Sequence, residues 1–165
     1  MEKHYSCSFT GHRPSKLPWG GNELDPRCLD LKKRIAEALY SVYKAGTRHF
    51  LCGMAIGCDT YFCEAVFKLR EEYGDVTIEA AIPCEEQSVR WDTKNKLQYD
   101  RLCSECDYQT IIQKRYTPDC MLRRNRYMVD SSSVLIAAYN GKSGGTMSTV
   151  LYAIKSGLEI IELPI

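Results

Sequence analysis

Two glycine-bearing segments, Gly53-Met54-Ala55-Ile56-Gly57-Cys58-Asp59-Thr60 and Gly141-Lys142-Ser143-Gly144-Gly145-Thr146, carry the residue types needed to hold an anion. Each follows an apolar run and precedes a stretch of helical periodicity, so each reads as a strand-loop-helix junction. Glycine there lets the chain take φ > 0 or lets another group come close, and Asp59 or Thr60 can cap the helix that follows. A helix start exposes N–H groups and the positive end of the helix dipole, and both favour negative charge. On this chemistry Gly144, Gly145 and the Thr146 hydroxyl form a cradle for a phosphate. The plainer reading of both segments is a tight turn between a strand and a helix.

Other groups fit the same chemistry. Arg13 and Arg124 can each meet a phosphate with a two-pronged guanidinium, or can be solvated surface arginines. His12, in Gly11-His12-Arg13-Pro14 at a strand end, is an acid–base candidate, though a lone loop histidine also serves as a hydrogen-bonding support. Glu85 follows Pro83 at another strand end and is a candidate carboxylate catalyst or ribose contact, or simply a charged first-turn residue. Tyr116, Tyr139 and Trp91 are candidate stacking platforms for a base, or packing residues.

The elements that must position these groups alternate between strand and helix. Tyr5 to Thr10 reads as a first strand. Asp25-Pro26 starts a helix whose stripe is Leu31, Ile35, Ala38, Leu39 and Val42, and Gly46 stops it. His49 to Cys52 is a second strand, followed by a helix with Phe62, Ala65, Val66 and Leu69 on one face. Val76 to Ile82 is a third strand, closed by Pro83. A charged helical stretch from about Glu85 to Glu105, broken near Trp91-Asp92, leads to a strand at Tyr108 to Gln113. Beyond the Tyr116 to Asp119 turn lies a helix with Met121, Leu122, Asn125, Met128 and Val129 on its stripe and Arg123, Arg124 and Arg126 on other faces. Ser133 to Tyr139 is an apolar strand buried on both faces. A final helix containing Val150, Leu151 and Ile154 is followed by a strand at Glu159 to Leu163. This alternation predicts an α/β fold with three layers, α/β/α, and a mostly parallel sheet of about six strands formed by residues 1–165 as one domain. The polar groups gather at strand C-terminal ends, where open α/β sheets bind ligands.

Composition limits the partners. With 22 basic and 21 acidic residues the net charge is +1, so any pull on an anion is local rather than global. No apolar run has the length of a membrane span, and the first residues lack a signal-peptide pattern, which predicts a cytoplasmic protein with no membrane partner. Nine cysteines are an odd set, several of them inside apolar runs, and read as core or surface thiols. Cys103 and Cys106 form a lone C-x-x-C without a second pair, so no metal site is expected, and a redox pair is the alternative reading; no cofactor is expected.

Three stretches together resemble one superfamily. Cys52 to Thr60 is similar to the strand-loop-helix of the Rossmann-like domain in DNA-processing protein A (DprA/Smf). Arg124-Asn125-Arg126 followed by Ser131 to Ala138 resembles that family's R-N-R helix and its next strand. Gly144 to Thr149, with Ala153, Gly157 and Glu162-Leu163-Pro164, resembles its last helix and closing strand. The chain thereby resembles the SLOG superfamily, which unites the DprA-like domains with the cytokinin-activating LOG phosphoribohydrolases. Cys7 to Pro14 and Thr117 to Met121 look like the small stand-alone YpsA/YoqJ-like branch of bacteria and their phages.

The resemblance implies a Rossmann-like fold and a nucleotide or nucleotide-derived small-molecule ligand, held by a sensor or processing protein. Its implied ligand-binding set is Thr10, Gly11, His12, Arg13, Gly53, Met54, Ala55, Gly57, Asp59, Pro83, Glu85, Arg124, Asn125, Gly144, Gly145 and Thr146. One alternative is a hydrolase acting on an N-glycosidic or phosphate bond; the other is a DprA-like binder of single-stranded nucleic acid, the lesser candidate partner. The LOG motif has a glutamate after its glycine loop, whereas this chain has Ser148, Thr149 and Val150. A homo-oligomer is left open.

Overall fold

A computed structural model describes residues 2–165. The strands are β1 Ser6–Gly11, β2 His49–Cys52, β3 Thr77–Cys84, β4 Tyr108–Gln113, β5 Val134–Tyr139 and β6 Glu159–Pro164. They form one all-parallel sheet in the order β4-β3-β2-β1-β5-β6. The helices are α1 Pro26–Lys44, α2 Cys58–Tyr73, α3 Thr93–Glu105, α4 Cys120–Asp130 and α5 Gly145–Lys155. This is the expected Rossmann-like α/β/α arrangement.

Successive strand residues point to opposite faces, and here both faces are covered. Phe50, Ile78 and Ile136 pack with Leu31, Ile35 and Leu39 of α1 and Phe62 and Val66 of α2 in the larger core. Their neighbours Leu135 and Ala137 turn the other way, toward Val129 of α4 and Val150 and Ala153 of α5. α1 starts where its sequence says it should: the Asp25 side chain accepts the Arg27 N–H at 2.9 Å, and Pro26 occupies the first turn.

Strand order rises from β1 to β4 in one direction and resumes with β5 on the other side of β1. The register of that seam runs from Cys7 beside Val134 to Gly11 beside Ala138. At such a reversal the connections leaving the two strands diverge and open a crevice at their C-terminal ends.

Two expectations about elements need correction. Pro83 does not close β3, which continues to Cys84. β2 pairs only as far as Cys52 with Ala80, so by Pro83 the strand has outrun that neighbour, while β4 pairs with it through Cys84 and Gln113. Arg124 does not lie on an outer face of α4; it is buried and shares the inward stripe with Met121, Asn125 and Met128.

Candidate functional site

A cavity of about 180 Å³ lies at the C-terminal end of the β1/β5 seam. β1 and the residues after it supply Thr10, Gly11, His12, Arg13, Ser15 and Lys16 to its wall; the loop and helix after β2 supply Ala55 and Asp59. From the other side come Met121, Arg124, Asn125 and Met128 of α4 and Gly145 and Thr146 of α5. Ten of the residues named from sequence therefore meet in one place: Thr10, Gly11, His12, Arg13, Ala55, Asp59, Arg124, Asn125, Gly145 and Thr146.

Arg124 is the most constrained of these groups. Its guanidinium donates to the carbonyls of Gly53 (2.5 Å) and Ala81 (3.5 Å), and Nε donates to Asn125 Oδ1 at 2.7 Å. Nη2 rests 3.7 Å from Met121 Sδ. A Cβ on residue 53 would sit 2.6 Å from Arg124 Nη1, so Gly53 is the residue that lets the guanidinium lie against the backbone. Burial pushes the guanidinium's affinity for its proton down, and the nearby Asp59 carboxylate restores part of it. Burial likewise pushes the Asp59 carboxyl up, opposed by Arg124.

Gly57 has a different duty. Its φ is +96°, and a Cβ there would lie 2.8 Å from the His12 carbonyl oxygen. That carbonyl accepts the Cys58 N–H at 3.1 Å, while Asp59 Oδ2 accepts the Ala55 N–H at 3.0 Å. Two donors around the start of α2 are thus spent inside the protein, and the expectation that this helix start presents its donors to an anion is corrected. Asp59 turns back to the loop instead of capping the helix, for which no side-chain cap forms.

The start of α5 is the opposite case. Gly144 precedes it with φ +152°, and no side chain caps it. A Cβ on Gly144 would lie 2.7 Å from Lys16 Nζ, which places that ammonium directly above the helix start. Lys16 escaped the sequence reading. Its signal was the Pro14–Lys16 3₁₀ turn, in which the Lys16 N–H donates to the Arg13 carbonyl at 3.0 Å; residues three apart in such a turn fall on one side. Among the described residues, Arg13, Lys16 and Arg124 make no ion pair with a carboxylate within 4.0 Å.

His12 is buried, and its Nε2 accepts the Asn140 N–H at 3.1 Å. Burial lowers its pKa, and a ring nitrogen that accepts a hydrogen bond carries no proton, so the ring is a neutral strut with the proton on Nδ1. Gly53, Met54, Gly57, Pro83, Glu85 and Gly144 do not line the cavity. Gly53, Gly57 and Gly144 give room to Arg124, the His12–Pro14 loop and Lys16, while Met54 joins the core with φ +60°. Glu85 is exposed and donates its N–H to the Lys114 carbonyl. The carboxylate on the cavity wall is Asp59.

All nine cysteines are free, and all but the half-buried Cys106 are buried. Desolvation pushes the Cys7, Cys52, Cys58, Cys84 and Cys103 thiols up, away from nucleophilic reactivity. Among the described residues no group of three or more His, Cys, Asp or Glu side chains is placed to hold a metal ion. No described helix is long and apolar enough to cross a membrane.

A family model described as the YspA SLOG family matches residues 7–162. The chain belongs to that family. Among curated SLOG relatives, the UPF0398 protein YpsA of Bacillus subtilis strain 168 is 27% identical over 147 residues, covering 87% of this chain and 81% of the relative. The SPbeta prophage-derived protein YoqJ of the same strain is 28% identical over 147 residues, covering 81% and 86%. The YpsA/YoqJ-like resemblance thus holds.

DNA processing protein A of Streptococcus pneumoniae superposes on 98% of this SLOG chain with a TM-score of 0.66 at 14% identity. Its counterpart from Helicobacter pylori, described for its single-stranded DNA binding mode, covers 99% with a TM-score of 0.62 at 20% identity. Both likenesses are of fold. This chain spans 51% and 66% of the lengths of those two chains.

Proposed function

We propose that this SLOG protein binds a nucleotide or nucleotide-derived small molecule, with a phosphate of the ligand at the start of α5. The observation that carries this reading is the convergence of Arg13, Lys16 and Arg124 with the uncapped helix start on one cavity. Three cations without a carboxylate partner, beside backbone donors at the positive end of a helix, make a concentrated anion site in a chain of net charge +1. Asp59 gives the cavity one acceptor for hydroxyl hydrogens, such as those of a ribose. Nine free cysteines suit a reducing, cytoplasmic setting.

The fold neighbours raise single-stranded DNA as a rival ligand, but the basic residues of α4 do not support a strand-tracking surface. Arg124 points inward, Arg123 donates to Gln113 Oε1, and Arg126 lies over the Tyr152 ring at 5.1 Å.

The test is Gly145→Asp. A Cβ at this position meets open space, and an acidic residue in the first turn suits the helix dipole, so the variant folds with at least the parent's melting temperature. Nucleoside monophosphates and ADP-ribose should raise the melting temperature of the parent and leave the variant unmoved. Equal ligand-induced shifts in both proteins would reduce the glycine loop to a turn.

A further inference from the structure

The phosphate cavity is smaller than a nucleotide. Ligand sites of that class occupy about 300–1,000 Å³, against about 180 Å³ here. A second cavity, of about 400 Å³, is lined by Glu86, Gln87, Val89 and Arg90 of the β3–α3 connection, Tyr116 of the β4–α4 connection and Met121 of α4. Met121 is the wall common to both. Its sulfur faces the guanidinium groups of the first cavity, 3.9 Å from Arg13 Nη2 and 3.7 Å from Arg124 Nη2. A ligand anchored by those arginines and passing over Met121 enters the second cavity.

The chemistry of that second cavity is distinct. Tyr116 and Val89 leave large fractions of their surface exposed, 61% and 59%, although both belong to a concave wall. The backbone N–H of Tyr116 donates to Glu86 Oε1 at 3.2 Å, which ties the two connections together. Gln87 is buried, and its Nε2 donates to the Gly53 carbonyl, the oxygen that also holds Arg124.

We propose that this second cavity is a base slot, in which a planar nitrogenous ring packs on the exposed side chain of Tyr116. The inference rests on the phosphate reading above and adds to it the part of the ligand that the first cavity is too small to hold. An aromatic face binds any base, so the slot favours a nucleotide over its sugar phosphate alone.

Calorimetric titration with ribose 5-phosphate, adenosine 5′-monophosphate and uridine 5′-monophosphate separates the two readings. At least one nucleotide should bind about tenfold or more tightly than ribose 5-phosphate. Tyr116→Ala should erase most of that advantage while leaving ribose 5-phosphate binding unchanged. Tyr116 is exposed, so its variant folds. Ribose 5-phosphate binding with no nucleotide advantage, or an advantage that survives Tyr116→Ala, overturns the base slot and spares the phosphate site. Absence of binding by all three compounds up to millimolar concentration overturns both.

Discussion

Asp59 is the residue on which the cavity's electrostatics turn. Burial raises its carboxyl pKa even after the attraction of Arg124 is counted, so the ionised form is less favourable in the folded protein than in the unfolded chain. The sign follows: the contribution to stability is full below the unfolded-state pKa, near 4, and is lost as pH rises through the folded-state value. Asn at this position keeps an oxygen for the Ala55 N–H and has no charge to bury. Asp59→Asn should therefore melt higher than the parent at pH 7, with the difference vanishing near pH 4. Inorganic phosphate should also bind the variant more tightly, since a negative charge has left the wall. A variant that melts below the parent at both pH values would contradict this balance.

At the scale of elements, the loops around the site are held by close approach. Gly57 permits the His12–Pro14 loop to lie against the start of α2, with the Cys58 N–H bonded to the His12 carbonyl. Gly57→Ala should cost on the order of 1–3 kcal/mol from the strained backbone alone, with the steric clash added, read as a lower urea midpoint. Stability indistinguishable from the parent would mean that the two loops are not coupled. The sequence displayed both glycines and the strand-loop-helix periodicity, because apolar spacing and chain breakers are local properties. It did not display which group approaches each glycine, since Arg124 and His12 arrive from distant segments. Arg124 was misplaced for the same reason: an arginine on an amphipathic helix normally marks the wet face, and only the backbone carbonyls of Gly53 and Ala81 provide it with partners inside. Lys16 was hidden in a stretch that looked like loop, and Glu85 was promoted by its place at a strand end although its side chain is in solvent.

The whole molecule carries almost no net charge, and Arg27, Arg34, Arg48, Arg70 and Arg101 are each paired with a nearby carboxylate. A strand-tracking protein neutralises several phosphates at once, so its affinity falls steeply with salt. A labelled single strand of about 20 nucleotides, long enough to occupy a track of the kind such proteins use, should bind this protein weakly at physiological salt and with a shallow salt slope. Submicromolar binding with a slope equivalent to several released ions would replace the small-ligand reading with the nucleic-acid one.

The reversal of strand order between β1 and β5 has a consequence for how the chain is divided. Everything up to β4 supplies one bank of the cavity, with Arg13, Lys16 and Asp59; everything from α4 onward supplies the other, with Arg124, Gly145 and Thr146. One connection, between Gln113 and Cys120, joins these two continuous segments. A small molecule gripped from both banks is then a splint across a natural fracture line. Cut at that connection, the two fragments would meet along β1 and β5, and the ligand would report its presence through how firmly they stay together.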